Sequence, residues 1–311
     1  MKIVVTGAGG TVAHAVVGAL LANGHDVTAT DVVRPGFPAA WAGAVPYLQA
    51  DLCDAGSAMV VVAGADVVVH AAAIPSPDNH PGHVVFHNNV QSTYNVVEAA
   101  VRCGVGRVVN ISSEAVGGYI YGDRRVVPRY VPVDEEHPTA PQDPYSVGKS
   151  FAEQLCTAAA LRSDLRCTTL RPTWVQWEGT YERNLGPIVR QPMAGCENLW
   201  AYVDVYDLAD AITAAVACSL PGHEVFYASA ADNAGGNDLA DVVARKYGGE
   251  VHLRSLARPD ASGVSCAKAG RLLGWRPRRS WRDYLDGDGR SLIDAAAGHR
   301  PTYPGPVAVS G

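Results

Sequence analysis

A short β-branched run, Lys2 to Val5, ends on Thr6-Gly7-Ala8-Gly9-Gly10-Thr11-Val12-Ala13, after which Ala15, Val16, Ala19 and Leu20 recur at helical spacing. Strand, glycine turn and helix in that order open a βαβ unit, and few folds accept such a beginning. Glycines let the backbone approach a pyrophosphate, whose charge then rests on free N–H groups at the helix N-terminus. The spacing is Gly7-x-x-Gly10-x-x-Ala13, with alanine where helix-to-strand packing asks only for a small residue. A second strand is predicted over His25 to Asp31. Its terminal carboxylate, Asp31, lies about where an adenosine ribose is held, and it repels a 2′-phosphate, which favours NAD over NADP. Arg34, the nearby counter-charge, reads as a solvated loop residue. The chain is therefore expected to be α/β, a Rossmann-type doubly wound parallel sheet, with a dinucleotide at the glycine turn.

Charge narrows the partners. Charged residues are 18% of the 311-residue chain and the net charge is -6, so nothing basic enough for nucleic acid or an anionic membrane is offered. Seven cysteines without a Cys-x-x-Cys pair lie scattered through apolar segments, the usage of a reduced protein. The N-terminal residues lack a signal-peptide apolar core and no stretch is long enough to span a bilayer, so a cytoplasmic location is expected.

Further along, Val45 to Ala50 reads as a third strand closed by Asp51-Leu52, a step suited to flanking an adenine; Asp51 or Asp54 also suits a helix N-cap. Asp66 to His70 reads as a buried strand running into Ala71-Ala72-Ala73, a floor of small residues for a flat ring, and His70 reads as a core histidine. Ile74 to His87 is expected to be a loop, and His80, His83 and His87 lack the spacing of a metal site, so no metal is expected. A helix is predicted from Asn88 to Cys103, stopped by Gly104, and a strand from Arg107 to Ile111 that delivers Ser112-Ser113-Glu114 to the carboxyl end of the sheet. Gly117 to Pro144 is a long connection. After it, Cys167 to Leu170 is a strand ending in Arg171-Pro172-Thr173, and Trp174 to Trp200 is irregular, suited to a substrate cap. Tyr202 to Val205 and Val225 to Tyr227 alternate as strands, and Asp207 is the expected cap of a helix over Leu208 to Ala217. Helices follow over Asn237 to Tyr247 and Lys268 to Leu273, and from Asp286 on no apolar period survives.

One stretch carries chemistry of its own. In Asp143-Pro144-Tyr145-Ser146-Val147-Gly148-Lys149, Pro144 disfavours helix before it, while Phe151, Ala152, Leu155, Cys156 and Ala159 set a helical period after it. Tyr145 and Lys149 then share a helix face one turn apart. A phenol titrates near pH 10 in water, so proton exchange at neutral pH needs a nearby cation, and Lys149 is placed to supply one. A solvated i,i+4 pair is the plainer reading of those two residues alone.

Taken in order, Thr6-Gly7-x-x-Gly10, Asp31, Asp51-Leu52, His70-Ala71-Ala72, Asn89, Ser112-Ser113, Tyr145-x-x-x-Lys149, Leu170-Arg171-Pro172, Val203-Asp204-Val205-Tyr206-Asp207 and Leu273-Gly274-Trp275-x-Pro277 resemble the extended short-chain dehydrogenase/reductase family. The resemblance is to its NAD-dependent sugar epimerase/dehydratase branch and covers residues 1 to about 285. It implies an enzyme with Tyr145 as catalytic acid/base, Lys149 lowering its pKa and binding the nicotinamide ribose, and Ser113 on the reacting hydroxyl or carbonyl. NAD would rest on Gly7, Gly10, Thr11, Val12, Asp31, Asp51, Leu52, Ala71, Ala72, Ala73, Asn89, Tyr145, Lys149, Pro172 and Thr173. Ser76, Glu114, Trp174, Trp177 and Arg183 are the candidates for the sugar. Residues 1–172, with parts of 200–230, would form the NAD-binding domain, 173–285 mostly the cap, and 286–311 a loosely ordered tail.

Two departures bear on the reaction. Ser113 is followed by Glu114-Ala115, where the family's dehydratases carry Asp-Glu, so dehydration is disfavoured. Family members that bind nucleotide sugars carry a long segment before this strand with an arginine for the diphosphate; here the interval before Val203-Asp204 is short and offers only Arg183 and Arg190. A nucleotide-sugar epimerase, like the UDP-glucose 4-epimerases, is the first expectation; a dehydrogenase of a free sugar or sugar acid, like the uronate dehydrogenases, is the second. A non-catalytic NAD-binding sensor is the third, and the intact Ser113, Tyr145 and Lys149 speak against it. The resemblance also implies a homodimer through the two helices that carry Val90, Tyr94, Val97 and Val101 and Phe151, Leu155 and Ala159.

Overall fold

In the computed structural model, which describes residues 1–34, 36, 43–194, 197–293 and 303, the N-terminal β-branched run forms β1 (Lys2–Thr6) and leads through the glycine turn into α1 (Thr11–Ala22). There follow β2 (Asp26–Asp31), β3 (Tyr47–Gln49), α2 (Ala55–Val62), β4 (Val67–His70), α3 (Gly82–Arg102) and β5 (Arg107–Ile111). The chain goes on through β6 (Tyr130–Val131), α4 (Pro144–Arg162), β7 (Arg166–Pro172), β8 (Trp174–Gln176), α5 (Tyr181–Asn184), α6 (Gly186–Arg190) and β9 (Tyr202–Asp204). It closes with α7 (Val205–Ala217), β10 (His223–Ala228), α8 (Leu239–Tyr247), β11 (His252–Leu253) and α9 (Ala267–Leu272).

Seven strands pair in parallel in the order β10-β7-β5-β4-β1-β2-β3, the doubly wound sheet the sequence predicts. The order reverses between β1 and β4, and the crevice at that switch lies at the carboxyl ends of the strands, where such sheets bind ligands. Central strands are apolar on both faces because both faces are covered: Val5 and Val69 pack toward α1 and α7, Val4 and Val68 toward α2, α3 and α4. A separate core of Tyr181, Leu185, Ile188, Trp200, Tyr202, Leu239 and Trp281 holds the cap together.

Several boundaries differ from expectation. α3 begins at Gly82, six residues before Asn88, so His83 and His87 stand on a helix; Val85 is fully buried and extends the apolar face through a stretch that Pro81 and Gly82 make read as loop. The third strand is confined to residues 47–49, and the span 174–200, expected to be irregular, contains β8, α5 and α6. α7 is capped by Asp204, whose carboxylate accepts from the Tyr206 and Asp207 N–H groups, and not by Asp207. Asp207 lies inside the helix, where it accepts from the Arg278 and Arg279 N–H groups and from the Arg279 guanidinium. Residues 286–293, the start of the expected tail, fold back: Asp286 accepts from the Asp288 and Arg290 N–H groups, and the Leu292 N–H donates to the Tyr284 carbonyl. Tyr303 donates its hydroxyl to Asp210; the rest of that tail, 294–302 and 304–311, lies outside the described residues.

Candidate active site

A cavity of about 1050 Å³ runs along the carboxyl ends of the sheet from the glycine turn to β8. At its first end the fit to a dinucleotide rests on backbone. Gly7 has φ +68, and a Cβ there would stand 2.7 Å from the Ala72 backbone, so only glycine lets the turn and the Ala71-Ala72 floor approach. The helices α2, α4, α7 and α8 each start on an aspartate whose side chain accepts first-turn N–H groups; α1 starts on Gly10 with no side-chain cap. An anion is the partner that fits such an uncapped start. Asp31 lines the same end, with one carboxylate oxygen accepting the Gly9 N–H at 2.8 Å and the other the Val32 N–H at 2.7 Å. Asp51 and Leu52 line it too, while Asp54 caps α2, so the two roles weighed for that acidic step fall on different residues.

The floor is tied down by polar groups beneath it. Thr6 Oγ1 accepts from the N–H groups of Ala71 and Ala72 and meets His70 Nδ1 at 2.9 Å. Thr93 donates to the Asn89 carbonyl, so His70 Nε2 donates to Thr93 and Nδ1 accepts from Thr6: a neutral imidazole. Burial holds its pKa down to about 3, with the charge on Lys149 adding to the effect, and His70 is the core histidine expected. Asn89, expected at the cofactor, does not line the cavity. Its side chain accepts the Ile74 N–H and donates to the Ile74 carbonyl, clamping the loop that follows the floor.

Tyr145, Lys149 and Ser113 converge in mid-cavity. Asp143 caps α4 by accepting the Tyr145 and Ser146 N–H groups, and Pro144 supplies the first helical residue, so the tyrosine is fixed at the helix start. Ser113 caps the short turn Glu114–Gly117. Burial raises the Tyr145 phenol above its ordinary value, and a side-chain hydrogen bond with Ser113 opposes that rise. Lys149 Nζ donates to the Ile111 carbonyl at 2.6 Å and stands 5.8 Å from the Tyr145 ring centroid. Burial lowers its pKa to about 8 against the pull of Glu153. The pair is buried on both members, which rules out the plain solvated helix face.

Glu153, one turn beyond Lys149, escaped the sequence reading although its spacing was available. It accepts from Ser112 at 2.6 Å and takes a bidentate pair from Arg171 at 2.9 and 2.7 Å, pinning α4 to the ends of β5 and β7.

At the far end the walls are Ser76, Glu114, Ile120, Tyr121, Trp174, Val175, Trp177, Glu197 and Asn198. Tyr121 meets the Tyr145 ring edge-on, centroids 6.1 Å apart. Tyr121 and Asn198 were not foreseen, since they sit in loops with no periodic signal. Arg183 is a correction: it faces solvent, donates to Asn184, and lies outside the cavity, because α5 turns Tyr181 inward instead. Arg190 donates to the carbonyls of Asp288 and Gly289. Among the described residues, Lys149 is the single cation on the cavity wall.

The model of the NAD dependent epimerase/dehydratase family matches residues 3–226. A UDP-glucose 4-epimerase of Corynebacterium glutamicum is 26% identical over 317 residues, spanning 90% of this chain and 92% of the relative. An L-arabinose 1-dehydrogenase (NAD(P)(+)) of Haloferax volcanii is 33% identical over 180 residues, 56% of this chain and 67% of that protein. In fold, the chain resembles a short-chain dehydrogenase/reductase superfamily protein of Agrobacterium tumefaciens solved with bound NAD, with TM-score 0.69, 21% identity, and coverage of 91% of this chain and 94% of the other.

Proposed function

We propose that this chain, which belongs to the NAD dependent epimerase/dehydratase family, is a nucleotide-sugar epimerase of the UDP-glucose 4-epimerase kind. The observation that carries the reading is one continuous cavity joining an uncapped, glycine-led helix start to a cluster of half-buried Ser113 with buried Tyr145 and Lys149. The glycine turn, Asp31, Asp51-Leu52 and the alanine floor would hold NAD, which would supply hydride acceptance and return when bound. Tyr145 takes the proton from the sugar hydroxyl, Ser113 holds that oxygen, and Lys149, 5.8 Å from the Tyr145 ring, supplies the positive charge that opposes the burial raising the phenol. Pro172 and Thr173 form the wall on the nicotinamide side. The near end-to-end match to a UDP-glucose 4-epimerase supports this reading over others.

Dehydrogenation of a free sugar or sugar acid is the second reading, favoured by one observation: Lys149 is the only cation among the described cavity residues, whereas a diphosphate is ordinarily met by convergent cations. The matched arabinose dehydrogenase fits the same reading. Turnover of UDP-galactose to UDP-glucose without net NADH supports the epimerase; NADH accumulating with a free sugar, and no UDP-sugar conversion, replaces it with the dehydrogenase.

Residues 1–172 with the returning α7 and β10 are taken as the cofactor domain and 173–285 as the cap. A homodimer through α3 and α4 fits the exposed Tyr94 and Phe151, whereas Val97 and Ala159, expected on the same faces, are buried in the core of the subunit. Sedimentation at the 32.7 kDa monomer mass alone would reject it. The described cysteines are free thiols and no described helix is long and apolar enough to cross a membrane, in keeping with a cytoplasmic enzyme.

A further inference from the structure

Successive turns of α4 hold successive residues at the end of β5. Lys149 Nζ donates to the Ile111 carbonyl at 2.6 Å, and one turn on, a Glu153 oxygen accepts from the Ser112 hydroxyl at 2.6 Å. Lys149 lines the cavity, whereas Glu153 stands outside its lining and is buried. Burying a carboxylate is costly unless its oxygens are met. Arg171 meets both of them, Nε at 2.9 Å on the oxygen that Ser112 shares and Nη2 at 2.7 Å on the other.

The partners of Glu153 adjoin the cavity wall. Ser112 immediately precedes Ser113 after β5, and Arg171 precedes Pro172 and Thr173 at the end of β7. One carboxylate therefore ties together the three segments that bring Tyr145 with Lys149, Ser113, and Thr173 to the cavity. The charges around it are few. His70 on β4 and His223 on β10 sense Lys149 and Glu153 respectively, but burial holds the first down to about 3 and the second to about 4, so both are neutral. On α4 itself, burial raises the Tyr145 phenol, and a hydrogen bond with Cys167, followed by burial, raises the Cys156 thiol, so neither carries charge in the resting protein. Glu153 is the anion that acts on Lys149.

We propose that Glu153 is a positioning residue for the reaction: held by Ser112 and Arg171, it fixes the three segments relative to one another and supplies the negative charge that keeps the Lys149 ammonium charged beside Tyr145. The inference rests on the acid/base role given to Tyr145 and Lys149 in the preceding reading, and not on which sugar is bound. Burial lowers Lys149 to about 8 even with Glu153 opposing it. Without the carboxylate the ammonium loses its proton at lower pH, and an uncompensated Arg171 in the same buried site adds to that loss. The charge that opposes the rise of the Tyr145 phenol goes with it.

The test reads Lys149 directly. The chain has four lysines, Lys2, Lys149, Lys246 and Lys268, so their side-chain NMR signals can be followed through a pH titration of the whole chain, with Lys149→Arg identifying the one of interest. This needs neither substrate nor cofactor. Glu153→Gln keeps the size of the side chain and an acceptor for Ser112 but no charge, and is expected to lower the Lys149 midpoint by about one pH unit. Ser112→Ala removes a donor and leaves the charges, so the midpoint should stay in place. Because Glu153→Gln strands a buried guanidinium, the paired Glu153→Gln/Arg171→Met variant is titrated beside it, with a smaller step in the same direction expected. On whichever sugar the wild type turns over, the alkaline fall of kcat should move to lower pH with the Lys149 midpoint. Glu153→Asp, which restores the charge but not the reach, should recover the midpoint more than the rate. A purely structural tie would lower Tm and rate while leaving the midpoint where it is. An unmoved midpoint in both Glu153→Gln and the paired variant, or a moved midpoint with an unmoved rate profile, would overturn the proposal. A wild type that turns over no sugar, with the Lys149 midpoint still moving, displaces the preceding reading and not the charge assigned to Glu153.

Discussion

At the glycine-turn end of the cavity the chain presents mostly backbone: the bare start of α1, the close approach of Gly7 to Ala72, and Asp31 as the chief charged side chain. At the Trp174 end it presents side chains from separate loops, Ser76, Glu114, Tyr121, Trp177 and Asn198 among them. Backbone recognition suits a ligand with a pyrophosphate, whose charge any correctly turned chain meets. Side chains on loops can be exchanged without disturbing the sheet, so the same cofactor end serves different sugars. The proposed catalytic cluster lies between the two, carried by α4 and the end of β5.

That division predicts different failures from different substitutions. Tyr145→Phe keeps the ring, its packing against Tyr121 and the helix start, but removes the hydroxyl proposed to transfer the proton. Turnover should fall by about 10² to 10⁴ while NAD affinity changes little, a split read by steady-state rates beside cofactor titration. Retention of rate within tenfold would place the acid/base elsewhere.

Gly7→Val attacks the backbone end directly. The new side chain meets the Ala72 backbone and demands a left-handed φ that a β-branched residue resists, so NAD binding should weaken by more than about tenfold and thermal stability should drop by about 1–3 kcal/mol. Sugar specificity among whatever substrates survive should be unaltered, which a kcat/KM panel measures.

A smaller effect is expected from Asp31→Ala. The carboxylate braces the Gly9 N–H and is proposed to meet the ribose, so NAD should weaken several-fold, by about 1 kcal/mol, and its advantage over NADP should narrow. An unchanged preference between the two cofactors would reduce Asp31 to a brace of the turn.

Arg183→Ala should do least. The guanidinium is outside the cavity and its partner is the neighbouring Asn184, so rate, KM and stability should stay within about twofold or 0.5 kcal/mol. A large rise in the KM for a UDP-sugar alone would show that α5 moves its arginine into the cavity on binding, and would make the far end more cationic than the structure has it.

Much of this protein is written locally in its chain. The valine runs specify buried parallel strands, Gly7 and Gly10 specify the turn, and Pro144 with Asp143 specifies where Tyr145 meets its helix, because each depends on residues a few positions apart. Asp51 could be read as both site and cap for the same reason: its signals are local, and the structure divides them between Asp51 and Asp54. The α3 start was hidden because Pro81 and Gly82 look like loop until Val85 is seen to be buried. Asp207 looked like a cap because its partners, Arg278 and Arg279, lie about seventy residues away.

The substrate end was decided by the tertiary structure. Leu199 and Trp200 hold their left-handed turn because Pro192, Ala234 and Gly263 impose it, and Arg183 loses its place because Tyr181 has the stronger demand for the interior. Sequence periodicity reports how a residue sits on its own helix or strand. Which side chain lines a cavity depends on every segment that reaches it, and that sum exists only in the folded chain.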